Sequence, residues 1–244
     1  MWTYLILLLG ALAIVAVFVR RAILMSLKKK RIEAAANIEK VEEEIPVAAK
    51  LSKADKVEIS DLLLQADELL KSGEEDEAIK IFVQALAIDE NHPETQQKLA
   101  MLYLQKQMFG AASALFKQLA LMTEDPIHYS HLGFSFYQQN AYEEAKEAYQ
   151  KAVDLDPTRA KRFISLAQVY RSLGQHQNAI IALNKALELE KDNLEFSLLL
   201  AEIYTELNNL EEAVSTLMFI LEKEPDHEEA ATLLKKLKKE TDGK

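Results

Sequence analysis

The sequence predicts an all-α protein in which a pair of helices repeats along the chain. Three observations carry that prediction. An alanine recurs as Ala78, Ala112, Ala145, Ala179 and Ala213, in steps of 34, 33, 34 and 34. A second series of small residues, Ala66, Ala100, Gly133, Ala167 and Ala201, keeps the same steps. A period of this size marks a stacked array and not a globular enzyme core. The 244 residues include only 6 glycines and 5 prolines, few for a β-rich or disordered chain and suited to long helices. Such arrays work by holding other molecules on an extended surface.

The first element is apolar. From Trp2 to Val19 no residue is charged. Eighteen helical residues at about 1.5 Å each span roughly 27 Å, close to the hydrocarbon thickness of a bilayer. Trp2 and Tyr4 stand at one end, where amphipathic rings favour the interface. Residues 1–19 are therefore expected to form a transmembrane anchor. A cleaved signal peptide would need positive charge before the apolar run, and here it all follows. A buried core helix would show a polar face, and this segment has none.

Residues 20–58 read as a basic juxtamembrane stretch and an acidic linker. Arg20, Arg21, Lys28, Lys29, Lys30 and Arg31 are the basic residues of the first 32, which contain no acid. The rest of the chain has 23 basic against 39 acidic residues. Basic residues stay on the cytoplasmic side, so the repeats are expected to face the cytoplasm; the dense Leu, Ile and Val suit a bacterial plasma membrane, with an endoplasmic reticulum span as the alternative. Ile23, Leu24, Met25 and Leu27 between the charges fit contact with anionic lipid over Arg20–Arg31, although setting topology is role enough. Residues 32–44 favour helix, Pro46 ends it, and residues 46–58 read as a tether.

Five units follow, over 59–92, 93–125, 126–159, 160–193 and 194–227. In the third, a helix from Ile127 to about Gln139 turns at Asn140 into a second from Tyr142 to Leu155. Small residues belong where paired helices approach most closely. Bulky series fill between them: Leu69, Tyr103, Phe136, Tyr170, Tyr204, and Phe82, Phe116, Tyr149, Leu183, Leu217. Pro93 and Pro126 open helices, and Pro157 and Pro225 close units. Residues 228–244 hold one more helix and a tail, with Leu233, Leu234 and Leu237 against lysines, as a solvating cap requires.

These units resemble the tetratricopeptide repeat family. The third carries Leu132-Gly133, Phe136, Ala145, Tyr149, Ala152 and Pro157 at the family's positions. The others match less fully: Lys191 replaces the proline in the fourth, and Leu119 and Ile220 replace the second alanine in the second and fifth. The resemblance implies an α-solenoid whose first helices line a concave groove for a protein or peptide. Carried over by register, the groove would use Met101, Leu104, Phe134, Tyr137, Gln138, Lys161, Ile164, Gln168 and Arg171. Leu63, Asp67 and Leu70 precede them, and Leu198, Glu202 and Glu206 follow. Lys161 and Arg171 are expected to hold a ligand carboxylate. Packing between repeats is the alternative role for Met101, Phe134 and Tyr137. The basic clamp by which some members grip chaperone tails is not matched: Leu63, Asp67, Lys98, Ile127 and His131 occupy its positions.

No catalytic role is expected, and no cofactor or metal. The chain has no cysteine, which removes thiolate sites. His128 and His131 are three apart but lack a third ligand, and read as partly exposed helical histidines. No phosphate loop, zinc helix or nucleophile elbow occurs. An acidic body argues against nucleic acid. The functional expectation is a membrane-anchored scaffold or adaptor. Its rival is an extracytoplasmic chaperone or assembly factor of opposite topology. Self-association is not specified by these patterns.

Overall fold

The computed structural model describes residues 51–242, which form eleven α-helices and no strand. The expected span over residues 1–19, the basic stretch and the linker up to residue 50 lie outside the described residues. Among the described residues, no helix is long and apolar enough to cross a membrane.

The helices are α1 Lys53–Ser72, α2 Glu75–Ile88, α3 Pro93–Gln105, α4 Phe109–Thr123, α5 Pro126–Gln138, α6 Tyr142–Leu155, α7 Ala160–Ser172, α8 His176–Leu189, α9 Leu194–Glu206, α10 Leu210–Lys223 and α11 Glu228–Asp242. Successive pairs α1/α2 to α9/α10 are the five units, and α11 packs on the last of them. One boundary differs from expectation. The helix starts at Lys53, so the tether read over 46–58 is already helical for its last six residues. The reason is local: Asp55 suits the helix start, and Ile59 buries itself a turn later.

Both small-residue series lie in the core. Nine of their members are alanines with no exposed surface, and Gly133 is buried with them. Phe82, Phe116, Leu183 and Leu217 are also fully buried, and Tyr149 nearly so. Clusters run on from unit to unit: Ala167, Ala179 and Leu183 pack with Phe196, Leu200 and Ile203 of the next pair. The last cluster joins Ala213, Leu217 and Ile220 to Ala230, Leu234 and Leu237 of α11, which is how the cap covers the final pair. A pair that cannot bury its apolar face alone is thus completed by its neighbour.

The turn inside each pair is one device used five times. Gly73, Gln107, Asn140, Gly174 and Asn208 all have positive φ, between 57° and 82°. Beside each, two backbone bonds close the helix end, as where Gln107 N donates to Leu104 O and Met108 N to Tyr103 O, at 3.0 and 2.8 Å. This is the Schellman arrangement, and it explains the turn signal at Asn140. The carbonyls that accept from the residue five positions later belong to Leu69, Tyr103, Phe136, Tyr170 and Tyr204, one of the bulky series. Those side chains pack inward while their main chains close the turn.

Turns between pairs differ. Four residues separate α2 from α3, α6 from α7, α8 from α9 and α10 from α11, but only Glu124 and Asp125 separate α4 from α5. The single step of 33 arises there. Glu124 takes a left-handed φ of 49°, Asp125 caps α5 through Ile127 N at 2.7 Å, and Pro126 stands at the first helical position. In the next turn, buried Arg162 donates to the Asp156 carbonyl at 3.0 Å and to the Asp156 carboxylate. Hydrogen bonds from Thr158 and from Arg162 hold that carboxyl well below the usual range.

Of the two histidines read as partly exposed, His131 is so and His128 is not. His128 is buried and shares a 2.8 Å hydrogen bond with Thr123 Oγ1. His131 stacks on Phe116 with ring centroids 4.9 Å apart. Burial, with His128 beside it, lowers the His131 pKa below its ordinary value. Both rings are structural.

Candidate functional site

The face to which the register assigns binding is built by the first helices α1, α3, α5, α7 and α9. Its central rungs are apolar and open: Met101 is 43% exposed, Ile127 51% and Phe134 39%. Their helices are fixed by buried residues such as Leu99 and Ala100 on α3 and Leu132 and Gly133 on α5. The side chains therefore stand on a rigid base. Phe134 is steadied by Phe109 of α4, edge to face at 6.1 Å. Tyr137 is half-buried, with its ring 5.5 Å from Tyr142 and its hydroxyl accepting from Ser172 Oγ at 3.3 Å. Leu104 and Ile164 are half-buried, each packed against its local core. Gln138, Lys161 and Gln168 are exposed.

At the N-terminal end of this face lies a recess of about 770 Å³ between α1 and α3, with Glu75 of α2 at its edge. Leu70, Met101, Leu102 and Leu104 are its apolar lining; Asp67, Glu75, Glu94 and Lys98 are its charges. Met101 and Leu104 both line it. Phe134 and Tyr137 lie further along, outside the recess. Glu75 and Glu94 were not among the expected groove residues. Glu94 is legible in register, one repeat before Ile127, whereas Glu75 comes from a second helix and has no register signal.

Arg171 departs from its expected role. Its Nη1 donates to Glu202 at 2.7 Å, and Nε donates to Glu206 at 2.9 Å. The guanidinium is taken up in joining the fourth unit to the fifth. Its pKa is raised, first by the hydrogen bonding it donates to Glu206. Arg171 is thus not the free carboxylate holder that the register suggested. Across the other end, Lys98 joins α3 to α1 through Asp67, at 2.7 and 3.0 Å. Among the described residues, no group of three or more His, Asp or Glu side chains could hold a metal ion.

The pattern of the tetratricopeptide repeat family matches residues 69–132 and 170–237, and a second tetratricopeptide pattern matches 127–159. No curated protein matches the sequence. Among solved structures, a MamA protein is 25% identical over 68% of this chain and 92% of its own, with a TM-score of 0.65. MamA of Desulfovibrio magneticus RS-1, from residue 41 onward, is 16% identical over 72% and 98%, with a TM-score of 0.63. YrrB, described as a TPR protein with an unusual peptide-binding site, is 19% identical over 71% and 90%, also at 0.63. The last two likenesses establish the fold.

Proposed function

We propose that this chain, which belongs to the tetratricopeptide repeat family, is a membrane-anchored scaffold that holds proteins or peptides on its first-helix face. One observation carries the binding half: Met101, Ile127 and Phe134 each expose apolar surface on helices anchored by buried residues. Complete burial of such a side chain is worth about 1.5–3 kcal/mol. Met101 and Phe134 are already more than half covered, so a partner gains about 1 kcal/mol from each. No single anchor dominates, and the face works as a strip. YrrB shows that this fold can carry a peptide-binding site. The work of the chain on this reading is holding, not catalysis.

The membrane half rests on the uncharged run from Trp2 to Val19 and the basic residues after it. They support an anchor with the repeats in the cytoplasm, where the scaffold recruits its partners. The second reading keeps the repeats and inverts the topology. The chain has no cysteine of its own, so Ser60→Cys on the exposed side of α1 offers one labelling site. A membrane-impermeant maleimide should leave it unlabelled in intact cells; labelling before lysis refutes the cytoplasmic assignment. For the face, Phe134→Glu with Tyr137→Glu should abolish the partners recovered by crosslinking and mass spectrometry from membranes. Unchanged recovery, with circular dichroism showing the helices intact, refutes binding at this face.

A further inference from the structure

We propose that the recess at the N-terminal end of the first-helix face takes a cationic side chain of a bound peptide, with an adjacent apolar side chain seated on Leu70, Met101 and Leu104. This rests on the reading that the face binds peptides, and names the class of peptide. Three carboxylates, Asp67, Glu75 and Glu94, line the recess with one ammonium, Lys98. Lys98 lies 2.7 Å from Asp67 and 3.2 Å from Glu94, so one positive charge is shared by two acids. Glu75 accepts from the Gln105 amide at 2.6 Å and sees Lys106 at 3.5 Å. Lys106 itself lies closer to Asp76, at 2.7 Å, and so adds no surplus charge to the recess. Two negative charges remain in excess.

The chemistry follows from that excess. A carboxylate has about four acceptor positions, and none of these three fills them from within the chain. An incoming ammonium or guanidinium completes them, while an incoming carboxylate meets like charge. At the far end of the face Arg171 is already claimed by Glu202 and Glu206, so it offers no comparable pull on an acidic ligand. The formal charge of −10 on the whole chain adds attraction of the same sign for a basic segment. Apolar contact on Leu70, Met101 and Leu104 retains the peptide, and the carboxylates select which peptide is retained. The occupant is a segment in which lysine or arginine stands beside a leucine or phenylalanine.

Two end-blocked, fluorescent tetrapeptides test this: lysine–leucine–phenylalanine–lysine and glutamate–leucine–phenylalanine–glutamate. Each is titrated by anisotropy into the full chain in neutral detergent micelles. The lysine peptide should bind about tenfold more tightly, with the gap closing as salt rises. A Glu75→Gln, Glu94→Gln double variant should shrink the gap several-fold. Equal affinities, or a preference for the glutamate peptide, overturn the proposal. So does a lysine preference that the double variant leaves unchanged, because the cation then binds elsewhere on this acidic chain. If both peptides bind equally and Met101→Glu weakens both, the apolar face still binds and only the charge selection is wrong. Binding of neither peptide overturns the proposal alone, since recovery of partners by the Phe134, Tyr137 variant decides the face separately.

Discussion

Replacing Gly133 by alanine should loosen the third helix pair, although alanine is the better helix former. A Cβ built on Gly133 falls 2.8 Å from Cγ and Cδ2 of Tyr149 and 3.0 Å from Cδ1. The ring has nowhere to go: it is 6% exposed and packed with Ala145, Val153, Leu166 and Val169. Burial pushes its hydroxyl pKa up to about 12. Helix propensity favours the alanine by about 0.5–1 kcal/mol. Overpacking a filled core costs about 1–3 kcal/mol. The second effect wins, with a net loss of about 1 kcal/mol, or roughly 2–4 °C in Tm for a domain of this size. Thermal unfolding followed by circular dichroism measures it. In a Tyr149→Leu background the same alanine should be neutral or stabilising, because Leu183 packs with Ala167 and Leu217 with Ala201 in the later units. A Gly133→Ala variant that melts higher than the parent with Tyr149 in place would refute the steric argument.

Gln107 is the one residue of the five matched turns that is neither glycine nor asparagine. Its left-handed backbone costs about 1–2 kcal/mol, so Gln107→Gly should raise stability by about 0.5–1 kcal/mol after the entropy of the added glycine; a lower Tm would show that the turn is unstrained. The lowered His131 pKa makes the folded state prefer the neutral ring, so its contribution is full above about pH 6.5 and declines as pH falls toward the folded value. His131→Phe should keep the stack on Phe116 and flatten the change in Tm between about pH 7 and 5; an unaltered slope would assign the acid response to other groups. The depressed Asp156 carboxyl stabilises the fold above about pH 3.9 and loses that effect as pH falls through its lower folded pKa. Asp156→Asn should therefore lower Tm at neutral pH, with the deficit narrowing in acid; an equal deficit at all pH would place the effect in the hydrogen bonds alone.

Sequence by itself determined the array. The alanine period placed ten small residues in the core, and the helix pairs, the turn at Asn140 and the proline-led starts of α3 and α5 stand where local chemistry requires them. Those features depend on residues close in sequence, and five copies repeat each one. Register also placed Met101 and Phe134 on an open face. What register could not decide is which charges meet across units. Arg171 reads as a free cation until Glu202 and Glu206, 31 and 35 residues later, come within hydrogen-bond reach. His128 reads as partly exposed until Thr123 of the preceding pair takes up its ring. Glu75 reads as a helix-start acid until α1, α2 and α3 close a recess around it. Each of these depends on how one helix pair is set against the next, a matter of packing geometry that no single repeat encodes.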